Sequence, residues 1–401
     1  MVNPVIRVAV DIGGKTHHAG IAGPEGKLLD QFTFPHSQEG FQEFFDRVER
    51  HQRELNLPVA VAMEGYNGHA RPLDRLIQEK GYKLYSVNNL KLARFREIFP
   101  GPAKTDSLDV HRILELFHLK DHLPLAKDVL QEVTEVPPEN EKLKRFTRRR
   151  RQLVLEKVRV MKRMQADLQS VCPELLSLTR KVDNLWFLRF LASKDDLREL
   201  ARLDRKELLG IPGVGRKYSG IIGAWQRKAR FSPEVEYVGP MIVSDAKRIL
   251  ELLEEIASLD RAMEELSRES EIARRLSTIP GFGKTSVTEL AGEIGTLDRF
   301  PSEASLALYL GMCPLDRQSG KFHGTRSPKQ VNRRAKAAMM VAVAHHIRAV
   351  PESRAYYEKK REEGKRHNQA VRALARHLVR VIWSMLKRGR DYELREVLCA
   401  V

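Results

Sequence analysis

The chain has 401 residues, of which 42% are hydrophobic and 31% charged, and it carries a formal net charge of +17. At about 100–200 residues per domain this is room for two to four packed units, and the apolar content excludes wholesale disorder. Three widely spaced cysteines (Cys172, Cys313, Cys399) exclude a disulfide scaffold and a zinc ribbon, and fit a reducing, cytoplasmic compartment. The first residues read as a strand rather than a signal peptide, and no run approaches the ~18 apolar residues of a membrane span.

Residues 5–11 form a β-rich run ending at Asp11-Ile-Gly-Gly. Residues 18–22 and 28–34 follow as neighbouring strands, with Gly-Pro-Glu-Gly as the turn between them. Residues 39–55 place Phe41, Phe44, Phe45 and Val48 on one helical stripe. Residues 58–63 are bounded like a buried strand, 71–80 read helical, 83–87 strand and 105–119 helical. This is a mixed α/β unit with an antiparallel start.

After Pro137-Pro138 the chain turns helical. Residues 139–172 contain neither Gly nor Pro, and Val154, Val158, Met161, Leu168 and Val171 give a narrow, coiled-coil-like seam. A second long stretch, 242–276, repeats the pattern through Ile249, Leu253, Ile256, Leu259, Met263 and Leu266, so the two stretches are expected to pack, within one chain or between chains. Between them lies an aromatic and basic segment with Ile211-Pro-Gly-Val-Gly-Arg-Lys, echoed later by Ile279-Pro-Gly-Phe-Gly-Lys-Thr. Residues 300–326 follow, with loop-like stretches, and three helices then reach about residue 390. The expected divisions are 1–136, 137–180, 181–241, 242–276, 277–392 and a tail, 393–401.

Charge divides sharply between the parts. Residues 1–136 hold 17 Lys/Arg against 19 Asp/Glu, while the remainder holds 53 against 34. Such segregation points to a polyanion gripped by the second part, with nucleic acid favoured over a merely soluble basic surface. Arg148, Arg149, Arg150 and Arg151 lie in the densest basic run. The Pro-Gly-x-Gly pairs resemble helix-hairpin-helix turns, where a helix N-terminus meets phosphate and Lys217 and Lys284 would add charge; a plain helix–helix turn is the other reading.

The near-neutral first part offers carboxylates. Asp11 and Glu64 end two strands, and Asp106 and Asp109 share one face at the start of a helix. Four acids converging on one point would repel, and Mg²⁺ would relieve that while holding a phosphodiester. Asp106 as a helix cap and Asp109 or Glu64 as ordinary surface acids are the plainer alternatives. Asp11-Ile-Gly-Gly alone also matches the phosphate turn of actin-like kinases, but the second Gly-rich turn such a site requires is thin here. In the basic part, Ser319-Gly320 sits among Arg317, Lys321, His323 and Arg326, a placement open to a nucleophile beside phosphate-binding cations or to a simple turn serine.

Together these stretches resemble the DEDD transposases of the insertion sequence 110 family, relatives of the pilin-gene invertase. The resemblance runs through Asp11, Glu64, Asp106 and Asp109, then Ile279-Pro-Gly-Phe-Gly, Ala291-Gly-Glu-Ile-Gly, Leu308-Tyr-Leu-Gly-Met-Cys-Pro, Ser319-Gly320, Lys329-Gln-Val-Asn332-Arg333-Arg and Ser353-Arg-Ala-Tyr-Tyr. It departs at Gln318, where a second serine is common, at Val331, where glycine is usual, and at Ala335-Lys336 in place of Leu-Arg. The resemblance implies an RNase H-like (RuvC-like) N-terminal domain, long coiled-coil helices and a mostly helical C-terminal transposase domain. It further implies Mg²⁺ on the four acids, Ser319 as nucleophile through a phosphoserine intermediate, donor and target DNA as substrates, a bridge RNA as guide and a homo-oligomer at the nucleoid. The residues themselves leave two rivals open: a metal-dependent nuclease or junction resolvase using water, and a non-catalytic nucleic-acid scaffold.

Overall fold

A computed structural model describes residues 4–66, 68, 70–97, 106–122, 129–320, 322–326, 328–329 and 331–394, apart from the side chains of residues 90, 96, 106, 107, 121, 122, 322 and 323. The chain forms two compact units, residues 1–135 and 136–401.

The first unit is built on a six-stranded sheet. Its elements, in chain order, are β1 (Ile6–Ile12), β2 (Thr16–Ala22), β3 (Leu28–Pro35), α1 (Gln38–Leu55), β4 (Val59–Met63), α2 (Arg71–Glu79), β5 (Lys83–Val87), α3 (Asn89–Arg96), α4 (Asp106–His122) and β6 (Leu130–Glu132). The sheet order is β3-β2-β1-β4-β5-β6. The first three strands pair antiparallel, β1, β4 and β5 run parallel, and β6 returns antiparallel. The tight β1–β2 hairpin explains Gly13, where an added Cβ would stand 2.2 Å from the Thr16 carbonyl oxygen.

Side chains alternate across this sheet because successive residues of a strand point to opposite faces. Val8, Val10, Val61 and Met63 pack with Phe44, Leu73 and Ile77 of α1 and α2. Ala9, Ala60 and Ala62 pack on the other face with Val110, Ile113 and Phe117 of α4. Small residues there let α4 lie close: a Cβ on Gly20 would stand 2.6 Å from Val110 Cγ1. Two elements, α3 and β6, go beyond the strands and helices read from the sequence. The first is short and begins at Asn88, whose side chain accepts from Lys91 N; the second has three residues.

The second unit continues with α5 (Pro138–Val171), α6 (Leu185–Leu191), α7 (Arg205–Gly210), α8 (Arg216–Gln226), α9 (Val235–Glu269), α10 (Glu271–Ser277), α11 (Lys284–Ile294) and α12 (Glu303–Tyr309). A hairpin, β7 (Leu315–Ser319) and β8 (Phe322–Arg326), precedes α13 (Arg333–Ala349), α14 (Pro351–Glu362) and α15 (His367–Arg388). Helices α5 and α9 form an antiparallel pair within the chain, as their ion pairs show: Arg150 meets Asp260, Arg248 meets Glu156 and Arg163 meets Asp245. The pair runs through two cores. One is closed by residues 172–225, the other by α10 to α15.

Three expectations are corrected here. Leu168 and Val171 of α5 are buried as expected, but the rest of the seam is Leu153, Val160 and Met164, while Val154, Val158 and Met161 are only partly covered. Residues 173–178 pack on α5, and Trp186, Phe187 and Phe190 of α6, which packs on α9, join the same core, so α5 does not face α9 alone. The second long helix begins at Val235, with Pro240 inside it, and stops at Glu269 rather than running over 242–276. Ser270 breaks it: its hydroxyl accepts from Ala273 N to cap α10 and donates to Asn140 Oδ1 at 2.6 Å. Finally, the 300–326 stretch holds α12 and the β7–β8 hairpin, whose strands carry mostly polar, exposed residues that give little apolar alternation.

Candidate active site

Glu64 lies beside Asp11 along the sheet. Val10 pairs with Met63, and the Glu64 amide donates to the Val10 carbonyl at 3.0 Å, so the ladder extends one step beyond β4. The alternation that puts Ala9 and Ala62 on the α4 face puts Asp11 and Glu64 there too. Helix α4 runs against β1: Val110 lies over Gly20, which pairs with Ala9, and His118 lies by Gly26 at the far turn. Its N-terminal end, with Asp106 and Asp109, therefore stands toward the ends of β1 and β4 that carry Asp11 and Glu64.

Asp109 is buried, only 2% exposed, with the Arg112 guanidinium 3.7 Å away. The side chain of Asp106 lies outside the described residues. Among the described residues no group of three or more His, Cys, Asp or Glu is placed to hold a metal ion. His18 pairs directly with Asp11 across β1 and β2, on the same face; its place in the register, not its sequence neighbours, brings it there.

Ser319 is exposed and ends β7, paired with Phe322 across the hairpin turn, where Gly320 takes φ +55°. Arg317 and Arg326 are exposed on the two hairpin strands and Lys329 beyond them; Lys321 lies outside the described residues.

The base of this hairpin is tied. Asn332, cap of α13, accepts from Arg334 N and Ala335 N, and its Nδ2 donates to Glu293 Oε2 at 2.7 Å and to the Tyr309 hydroxyl oxygen at 2.6 Å. Tyr309 ends α12, its hydroxyl donates to the Glu293 carbonyl at 2.7 Å, and its own carbonyl accepts from Asn332 N. The segment that carries Ser319 thus leaves and re-enters the fold at one knot. Glu293 anchors that knot to α5 through Arg148. Burial pushes the Glu293 carboxyl up, but hydrogen bonds from Arg148 and Asn332 and the charges of Arg148 and Lys144 outweigh it and hold it below the usual carboxylate range.

The Ala291-Gly-Glu-Ile-Gly motif serves this junction. A Cβ on Gly292 would stand 2.5 Å from Lys144 N, so α11 lies directly on the α5 backbone there. Gly295 takes φ +72°, and its carbonyl accepts from Asn140 Nδ2 at 2.8 Å.

The four-arginine run faces acids of its own unit. Arg148 pairs with Glu293, Arg149 with Glu255, Arg150 with Asp260 and Arg151 with Glu289. Lys284 bonds Glu264 at 2.7 Å, and Lys217 and Arg333 are exposed. The two Pro-Gly-x-Gly turns bend through Gly213 and Gly281, at φ +94° and +84°. The second is packed on protein, since a Cβ on Gly281 would stand 2.5 Å from His346 N, and the buried His346 donates from Nδ1 to the Pro280 carbonyl at 2.7 Å.

No helix among the described residues is long and apolar enough to cross a membrane. Residues 8–173 match a DEDD-type transposase model of the IS110 group, and residues 273–358 match one described as "Transposase IS116/IS110/IS902 family". The chain is 26% identical to the "Insertion element IS110 uncharacterized 43.6 kDa protein" of Streptomyces coelicolor, over 97% of this chain and 95% of that one. It is 27% identical to the "Insertion element IS116 uncharacterized 44.8 kDa protein" of Streptomyces clavuligerus, over 96% and 95%. A pilin gene-inverting protein of Moraxella bovis is 29% identical over 31% of this chain and 39% of its own. With a DEDD transposase domain running through the acid-bearing sheet and a second transposase domain spanning the serine hairpin, this chain belongs to the IS110 family of transposases and recombinases.

Proposed function

We propose that this chain cleaves and rejoins DNA strands by transesterification, with Ser319 as the nucleophile. The observation that carries the reading is the placement of Ser319: exposed, at the tip of a basic hairpin whose base is fixed in the fold. The Ser319 hydroxyl oxygen forms a bond to phosphorus as the bond from phosphorus to the 3′ oxygen breaks. The hydroxyl proton leaves to a base, and the departing 3′ oxygen is protonated. The phosphodiester energy is kept in the serine ester, so the reverse attack by another 3′-hydroxyl rejoins strands without a further energy source.

Asp11, Glu64, Asp106 and Asp109 would hold Mg²⁺. An all-oxygen carboxylate set suits that hard cation, and the strand register supports grouping Asp11 and Glu64 on the α4 face. A bound Mg²⁺ supplies charge that draws phosphate oxygens and offsets the carboxylates. The strand order, with an antiparallel β1–β3 start and parallel β4 and β5, supports an RNase H-like reading of the first unit. Arg317, Gly320, Lys321, Arg326, Lys329, Arg333 and Lys217 would meet the DNA backbone. Arg148–Arg151, Lys284 and Asn332 would act chiefly inside the fold through the partners above. A guide RNA and a homo-oligomeric assembly belong to the same reading.

Denaturing electrophoresis of the protein with labelled element-end DNA tests it. A covalent adduct is expected with the wild type and absent in Ser319→Ala, and Asp11→Ala should abolish recombination. Full recombination by Ser319→Ala would overturn the assignment and favour water as the nucleophile.

A further inference from the structure

A cavity of about 440 Å³ opens at the foot of the hairpin, between β8 and helices α14 and α15. Its charged lining is one-sided. Arg326 comes from the end of β8, Lys365 from the turn before α15, and Arg372 and Arg376 from one face of α15, spaced by one helical turn. No carboxylate lines it among the described residues. Two of these cations are already engaged by acids outside the lining: Glu303 takes Arg376 in a two-pronged pair at 2.5 and 2.8 Å, and Glu363 takes Lys365; Arg372 donates from Nε to the Asn368 carbonyl at 3.1 Å. His377, on the rim, is held below its ordinary value by burial and then by the charges of Arg380, Arg376 and Lys360.

The remaining wall is different. Met312, Pro314 and Ala373 are apolar, and Gln369 brings an amide with both a donor and an acceptor. A cavity of this size lies within the range of small-molecule sites and is far larger than a phosphate requires. Guanidinium forks suit phosphate oxygens, an apolar wall suits the flat face of a base, and an amide suits its edge. Arg326 stands four residues along β8 from Phe322, the partner of Ser319, which is about 13 Å at strand spacing. That is less than half a turn of duplex.

We propose that this cavity binds one nucleotide unit of the DNA strand attacked at Ser319, its phosphate held by Arg326 and Arg372 and its base laid against Met312 and Ala373. Its position relative to the attacked phosphate rests on the assignment of Ser319; the nucleotide site itself does not.

The test measures binding of a fluorescein-labelled thymidine trinucleotide to the full-length protein by anisotropy, with inorganic phosphate, thymidine monophosphate and unlabelled trinucleotide as competitors. Arg372→Gln should weaken binding at least tenfold. Ala373→Phe, which fills the cavity and keeps every charge, should do the same with an unchanged melting temperature; Ala373→Met carries the same test if the larger side chain prevents folding. Ser319→Ala should bind like the wild type, so a failure of the nucleophile assignment, read in the adduct assay, leaves this result separate. Wild-type binding by both cavity-filling variants would show that diffuse surface charge holds the strand and would overturn the site. Competition by the monophosphate as strong as by the trinucleotide would assign the cavity to a free nucleotide and overturn the strand reading.

Discussion

Arg148 grips Glu293 with two hydrogen bonds, Nε to Oε1 at 2.7 Å and Nη2 to Oε2 at 2.9 Å, across 145 residues of sequence. The carboxylate is 1% exposed and the guanidinium 39%. Removing the arginine leaves a charge in the interior. Arg148→Met should cost about 2 kcal/mol, below the ~3–5 of a fully buried pair because the arginine is part-solvated. Arg148→Met with Glu293→Gln should recover much of the loss. Chemical denaturation checks both, and a double variant no more stable than the single would show that the pair is not the source.

The same carboxyl sets an acid limit. Its value in the fold lies below that of an unfolded glutamate, so the stability it confers is complete above the ordinary glutamate range, near pH 4.3, and is lost as pH falls through the lowered value. The stability gap between the wild type and Glu293→Gln should therefore narrow below about pH 4. A gap that stays constant from pH 6 to 3 would place the stabilising group elsewhere.

Lys144 works in the opposite sense. Burial and the neighbouring Arg299 and Arg148 lower it to about 8. The unfolded chain holds this proton more tightly, so stability rises with pH from about 8 to about 10.5 and is lowest below 8. At ~1.36 kcal/mol per unit, Lys144→Met should stabilise the protein at pH 7 by about 3 kcal/mol, with the gain gone near pH 10.5. Parallel stability curves for the two proteins across that window would refute it.

Glycines in the recurrent motifs separate by what surrounds them. Gly292→Ala and Gly281→Ala each drive a Cβ to 2.5 Å from a backbone nitrogen, and Gly281 has a positive φ as well. Each should cost more than about 2 kcal/mol. Gly283 has nothing within 4 Å of an added Cβ, so Gly283→Ala should melt like the wild type. If Gly283→Ala instead weakens DNA binding without changing the melting temperature, the exposed turn contacts the strand.

Asn332→Asp keeps the α13 cap but sets a second carboxylate against Glu293. It should lower stability by about 1–2 kcal/mol and reduce strand cleavage, whereas Asn332→Ser, a cap without the new charge, should retain more of both. Equal losses in the two variants would show that only the lost amide matters.

Alternation along β1 and β4 reveals their strands, and two strand-ending acids are visible as such in the sequence. That both point to the α4 face follows from register, which the pairing of Val10 with Met63 settles. The knot beneath Ser319 is not legible: Arg148, Glu293, Tyr309 and Asn332 lie on four elements, and nothing local marks them as partners. The arginine run shows the cost of reading charge alone, since the acids that meet it are 106 to 145 residues away or lie a whole helix distant. In α5 the periodicity places Leu168 and Val171 correctly but misses Leu153, Val160 and Met164 for a related reason, as it fixes a stripe only when one neighbour covers it.

The antiparallel pairing of α5 and α9 also shapes how the chain is made. Partners such as Arg150 and Asp260 are 110 residues apart. At a synthesis rate of ~5–20 residues per second, α5 emerges roughly 5–20 s before its mate. For that interval Leu153, Val160 and Met164 lack α9, with only residues 172–225 to begin closing their core, and Arg148 to Arg151 lack the acids of α9 and α11. The nascent second unit thus presents an adhesive cationic helix, and its safe burial depends on how quickly the distant strap of α9 arrives.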